Sequence, residues 1–174
     1  MFNTYNRSDD YLLLIDMYRP LDNIEIKIKL NNAEEQATVQ RILEELKKTN
    51  EFSSICPTIK VQKSRFTPEE AVLLIIIGFA SQLSSDLTIA FLRNLWNRLK
   101  EKNMTPEIED LDQVKNRAEK YVQGLGVTRF HIIKVEDHGL YAEFEIKDSK
   151  GMRHILLIAK TDLSILKYHR LEGN

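Results

Sequence analysis

The chain has 174 residues, 43% of them hydrophobic and 29% charged, with a net charge of −1 at neutral pH. This is an ordinary globular composition, long enough for one mid-sized domain or two small ones. The balanced charge gives no electrostatic reason to expect DNA, RNA or an anionic membrane as the main partner. The single cysteine, Cys56, excludes an internal disulfide framework and a thiolate zinc cluster.

Residues 1–10 are polar and lack the basic stretch followed by an apolar one that marks a secretory signal, so the expected location is cytoplasmic. Residues 11–18 form a short apolar run compatible with a strand or one buried helical turn, and residues 19–23 read as a turn around Pro20. Ile24, Ile26, Ile28 and Leu30 alternate with Glu25, Lys27 and Lys29, the pattern of a strand with one wet face. A helix follows, capped at Asn31-Asn32, with Glu34 and Glu35 in its first turn, Lys47 and Lys48 in its last, and Ala33, Ala37, Val39, Ile42, Leu43 and Leu46 inward. Residues 58–63 read as a second strand, which predicts a βαβ unit with parallel strands.

Residues 67–102 hold the longest apolar passage and the only tryptophan, Trp96. Thr67-Pro68-Glu69-Glu70 has the chemistry of a helix start, and residues 71–80 are apolar on every side, as in a helix buried all round. Leu87, Phe91, Leu95 and Leu99, widened by Leu92 and Trp96, form an amphipathic stripe opposite Arg93, Asn94, Asn97, Arg98 and Lys100. Two helices are therefore expected, over 68–82 and 86–102. The uninterrupted apolar run is about half the ~20 residues that a membrane span needs, so a core helix is expected. A membrane-acting hairpin over 71–99 is the alternative. The basic end of the second helix reads as dipole compensation rather than a nucleic-acid patch.

Residues 103–110, with Pro106, read as a linker, and residues 111–124 as an amphipathic helix with Leu111, Val114, Ala118, Tyr121 and Val122 inward and Gly124 at its end. Four alternating runs follow, 129–135, 140–146, 153–159 and 164–169, separated by short turns containing Gly139, Gly151 and Asp162. This predicts an antiparallel meander.

No residue pattern declares a reaction. His131, His138, His154 and His169 show no HxH or HExxH spacing and read as surface or hydrogen-bonded histidines. Cys56 reads as a buried thiol without an assignable base, and the acidic pairs Asp9-Asp10, Glu44-Glu45 and Glu109-Asp110 lie on solvated faces or linkers. No catalytic residue, metal or cofactor is expected.

Two resemblances add to this reading. The order of elements over 24–102, with the Leu74–Phe79 run containing Gly78 and the basic end of 92–102, resembles the effector-associated constant components of bacterial conflict-system gene clusters. That resemblance implies a non-enzymatic adaptor beside an effector. Residues 110–171 resemble a PepSY domain through Ala118, Gly124, Gly139, Tyr141, Gly151, Ala159-Lys160-Thr161-Asp162 and Ile165-Leu166, with Asp162 where that family has Gly. It implies a small α+β binding module.

The sequence thus predicts an α+β protein: a βαβ unit and apolar helix pair over 1–102, a linker over 103–110, and a helix with a four-stranded antiparallel meander over 111–174. The expected function is a protein-interaction module, an adaptor or regulator in a bacterial defence system, whose partner is a co-encoded effector or a second copy of the chain. An immunity or inhibitor protein acting on a toxin or protease is a further alternative. Leu92, Arg93 and Trp96 are the expected contact residues, since Trp and Arg anchor interfaces disproportionately.

Overall fold

The alternation of Ile24, Ile26, Ile28 and Leu30 produces β1 (Asn23–Leu30), whose even-numbered side chains are all buried and whose odd-numbered ones are exposed. The computed structural model describes residues 23–63, 71–79 and 85–172. The readings for residues 1–22, the helix start at 67–70 and the break at 80–84 lie outside the described residues.

After β1, Asn32 accepts a hydrogen bond from the Glu35 N–H at 2.9 Å while the Glu35 carboxylate reaches back to the Asn31 N–H at 2.7 Å. This reciprocal cap starts α1 (Ala33–Lys48), which buries Val39, Ile42, Leu43 and Leu46. A short 3-10 turn, Asn50–Phe52, leads to β2 (Ile55–Lys63) and then β3 (Ala71–Phe79).

β3 corrects the expectation of a helix over 68–82. Its apolar run lacks alternation because the strand is central: β1 and β2 flank it, both antiparallel to it. An apolar run bounded by turns fits a buried helix or a buried strand equally well by periodicity, and the β-branched Val72, Ile75, Ile76 and Ile77 favour the strand. One face sends Leu73, Ile75 and Ile77 into the core. On the other face Leu74 lies between Lys27 and Lys60, and Val72 between Lys29 and Gln62. The aliphatic stems of those lysines cover apolar surface while their ammonium groups stay in water. Because β1 and β2 share an antiparallel neighbour they run parallel to each other, with β3 inserted where the βαβ reading had them adjacent.

α2 (Ser85–Glu101) follows, and Asn103, with φ +55°, turns the chain into β4 (Pro106–Glu107). β4 pairs antiparallel with β1 through Ile28–Pro106 and Lys27–Glu107, completing a sheet of order β2-β3-β1-β4. The stretch read as a linker is thus an edge strand, a position that tolerates a proline. Asp110 caps α3 (Leu111–Gly124) by accepting from the Gln113 N–H at 2.8 Å. Gly124 is the last residue of this helix, as read, and Gly126 beyond it takes the left-handed conformation, φ +84°.

The meander is present as read: β5 (Phe130–Asp137), β6 (Tyr141–Asp148), β7 (Arg153–Ala159) and β8 (Ile165–Leu171), antiparallel in sequence order. One of its faces packs Ala142, Phe144, Ile146, Leu156 and Ile158 on α3. The opposite face contributes Tyr141, Leu157 and Ala159 to the same core as the first sheet, α1 and α2. The protein is α+β. Among the described residues no helix is long and apolar enough to cross a membrane.

If β3 is a central strand, neighbouring isoleucines differ in cost. Ile75→Ala, on the fully buried face, is expected to lower the unfolding free energy by about 3 kcal/mol. Ile76→Ala, on the partly covered face, is expected to lower it by about 1 kcal/mol. Urea unfolding of both variants checks this, and equal losses would contradict the alternation.

Candidate functional site

α2 presents its stripe at helical spacing, with Phe91, Leu92, Leu95 and Leu99 buried. Leu92 is only 1% exposed and belongs to the core, so the contact expected of it is corrected: burial in the apolar cluster shared by the two sheets leaves it nothing to offer a partner. Arg93 and Trp96, rotated from that stripe, reach the rim of the helix. Both line a surface pocket of about 490 Å³ with Asn97, Ile108, Asp137 and Lys160.

The pocket is closed on one side by the β5–β6 turn. Asp137 Oδ1 accepts from the Gly139 N–H at 2.9 Å, and the His138 N–H donates to the Tyr141 carbonyl at 2.9 Å. Gly139 has φ +84° and lies directly against the Trp96 indole, so a Cβ there would fall inside the ring's van der Waals envelope. Both features require glycine. Arg93 Nη2 donates to Tyr141 Oη at 2.9 Å, and the His138 ring stacks on Tyr141 with centroids 4.8 Å apart. Among the described residues Arg93 faces no carboxylate partner.

Beneath the turn, the Lys160 ammonium donates to Asp137 Oδ2 at 2.7 Å. Lys160 is 5% exposed, whereas the Asp137 side chain is 46% exposed. Desolvation pushes the Asp137 pKa up, but the bonds from Lys160 and the Gly139 N–H outweigh it and hold the carboxyl below its ordinary value.

The histidines separate on inspection of the sheet. His131 and His169 are exposed, and His138 is half-buried at the pocket. His154 is 2% exposed, with Nδ1 2.9 Å from Tyr168 Oη and Nε2 3.5 Å from Asp148 Oδ2. Burial raises the Asp148 pKa, but the Met152 and Lys150 backbone N–H groups, then His154, pull it below its ordinary value. Cys56, read as buried, is exposed, because it lies on the outer face of edge strand β2. Glu136, His138 and Glu143 place their ligand-type atoms within 4.8 Å of one another. Glu136 and Glu143 meet only through the β5–β6 register, and Glu136 is already engaged by Lys134 at 2.6 Å.

Sequence reasoning thus found two rim residues, Arg93 and Trp96, and missed Asp137, Gly139 and Lys160. The Asp-x-Gly of a hairpin turn was visible, but nothing local said that α2 would lie against it. Compared with protein-family models, curated proteins and solved structures, the chain matches none.

Removing one partner of an ion pair costs most when the charge left behind is buried, as Lys160 is, and least when it stays in water, as the half-exposed Asp137 would. Asp137→Ala is expected to destabilise by about 2 kcal/mol, below the fully buried limit because Asp137 is half in water. Lys160→Met is expected to be close to neutral, and thermal unfolding distinguishes the two.

Acid should weaken the fold through the lowered carboxyls. Their stabilisation is complete above the ordinary carboxylate range and is lost as pH falls through the depressed folded-state values of Asp137 and Asp148. Asp148→Asn should flatten the acid limb of a stability–pH curve, while the region above pH ~5 keeps its slope.

Proposed function

We propose that this protein is a non-enzymatic protein-interaction module, an adaptor or regulator working in the cytoplasm, that seats an acidic residue of a partner protein against Arg93 and Trp96. The observation carrying this reading is an arginine without a carboxylate partner among the described residues, held by Tyr141 beside a partly exposed tryptophan in an open pocket. Arginine and tryptophan supply a disproportionate share of binding energy at interfaces, and a guanidinium that is oriented before binding loses less entropy on engaging a carboxylate. Trp96 and Ile108 provide the apolar floor, and Lys160 adds a second, internally paired cation. The groups at the pocket favour recognition over bond-making. Blocking a toxin or protease would be one form of such binding.

The bacterial defence setting rests on the resemblance of residues 24–102, whose element order departs from the observed one at strand β3. A membrane-acting hairpin over 71–99 has less support, because its first half is the central strand of a sheet.

The experiment captures a partner from the native host, identifies it, and titrates the purified protein into the full-length chain with Trp96 emission as readout. Saturable binding weakened about tenfold or more by Arg93→Gln, which keeps a donor for Tyr141, is the expected result. Trp96→Ala, followed by calorimetry, should weaken it similarly. Unchanged affinity in both variants would overturn the assignment, and a second copy of the chain as the captured species would make the module a homodimer.

A further inference from the structure

A second pocket, of about 470 Å³, opens at the other end of the meander, where the chain beyond α3, the start of β5, the β6–β7 turn and the end of β8 meet. Three exposed cations stand around it: Arg129, Lys150 and Arg170. Among the described residues none of the three has a carboxylate partner. Like charges gathered without compensation repel one another, and an anion placed between them removes that cost.

The one carboxylate lining the pocket is turned away from this role. Asp148 Oδ1 accepts from the Lys150 and Met152 N–H groups at 2.8 and 2.9 Å, and Oδ2 faces His154. The negative end of the α3 dipole is likewise occupied, since the N–H groups of Leu125, Gly126 and Val127 bond the carbonyls of residues 121–123. Beneath the cations His154 is almost wholly buried, and its Nε2 makes no well-formed hydrogen bond, only a 3.5 Å approach to Asp148 Oδ2. A buried polar atom held by so long a contact is uncommon, and it leaves the imidazole edge able to serve something beyond the fold. Thr128 and Ser149 add hydroxyls at the mouth.

We propose that this pocket binds a phosphate group, free or carried by a small organic molecule. Three cations against one inward-turned carboxylate match a dianion with several acceptor oxygens better than a single carboxylate, and they disfavour a metal cation. The volume lies within the ~300–1,000 Å³ of small-molecule sites. The chain's balanced overall charge suits one phosphate rather than a polyanion. The site is separate from the Arg93–Trp96 pocket and shares no residue with it.

Calorimetry and amide chemical shifts of the full chain, titrated separately with inorganic phosphate and phenyl phosphate, test the proposal. Saturable one-to-one binding is expected, with shifts confined to residues 125–129, 148–150 and 168–170. Arg129→Gln and Arg170→Gln should each weaken it about tenfold, as loss of a charge-assisted bond does, whereas Lys48→Gln on α1 should not. Equal affinity for the two probes would assign free phosphate, and tighter phenyl phosphate would assign an organic phosphate. Non-saturating titrations, shifts scattered over surface lysines, or full affinity in both arginine variants would overturn the proposal.

Discussion

The structure depends on α2 being shared. A four-stranded sheet with one helix over it buries only part of its apolar surface, and a meander backed by α3 alone leaves Tyr141, Leu157 and Leu166 in need of cover. α2 resolves both needs, because Phe91, Leu92, Leu95 and Leu99 join one apolar cluster that takes in the first sheet, α1 and those meander residues. Polar ties follow the same seam. Lys167 reaches Asp86 at 2.5 Å, the Glu109 N–H donates to the Lys160 carbonyl at 2.7 Å, and Arg93 bonds Tyr141. Most of these groups are partly exposed, so they align the seam while apolar burial supplies most of its stability.

The meander concentrates the polar groups that the core cannot absorb at its two ends. At one end Asp137, Gly139 and Lys160 meet α2; at the other Asp148, His154 and Tyr168 lie beyond the last turn of α3. The antiparallel register forces this separation: Asp137 faces Ala142 near the start of β6, whereas Phe130 faces Asp148 at its end. Both aspartates hold the backbone of a turn with one oxygen; the other bonds the buried Lys160 ammonium in Asp137 and faces the buried His154 imidazole at 3.5 Å in Asp148. Each therefore links turn geometry to the charge of a neighbouring pocket.

Elements whose pattern is local were legible in the sequence. β1 alternates because only one of its faces is dry, α1 carries its own caps and charges, and the meander announces itself through Gly139 and Gly151 at positive φ. β3 was not legible as a strand, because a central strand with lysine stems over its outer face shows no period of two. β4 was hidden for the opposite reason: two residues around a proline have no pattern, and their pairing with β1 is decided by where α2 leaves the chain. The Arg93–Trp96 pair could be named from residue type, but Leu92 could not be separated from it without knowing which side of α2 was covered. His154 read as a surface or hydrogen-bonded histidine and is hydrogen-bonded, but its burial and that of Lys160 have no signal in their neighbourhoods.

The two pockets stand differently to the fold. The Arg93–Trp96 pocket is built across the seam, from α2, the approach to α3 and two turns of the meander, so it exists only when both sheets are docked. Trp96 against Gly139 makes that dependence local, since only a glycine in the turn lets the indole approach so closely. The second pocket draws every lining residue from 125–170 and needs only α3 and the meander. A change that loosens the seam would remove the first pocket and spare the second. Binding at the first is therefore coupled to docking of the two sheets, as any ligand that recognises only the assembled state must be.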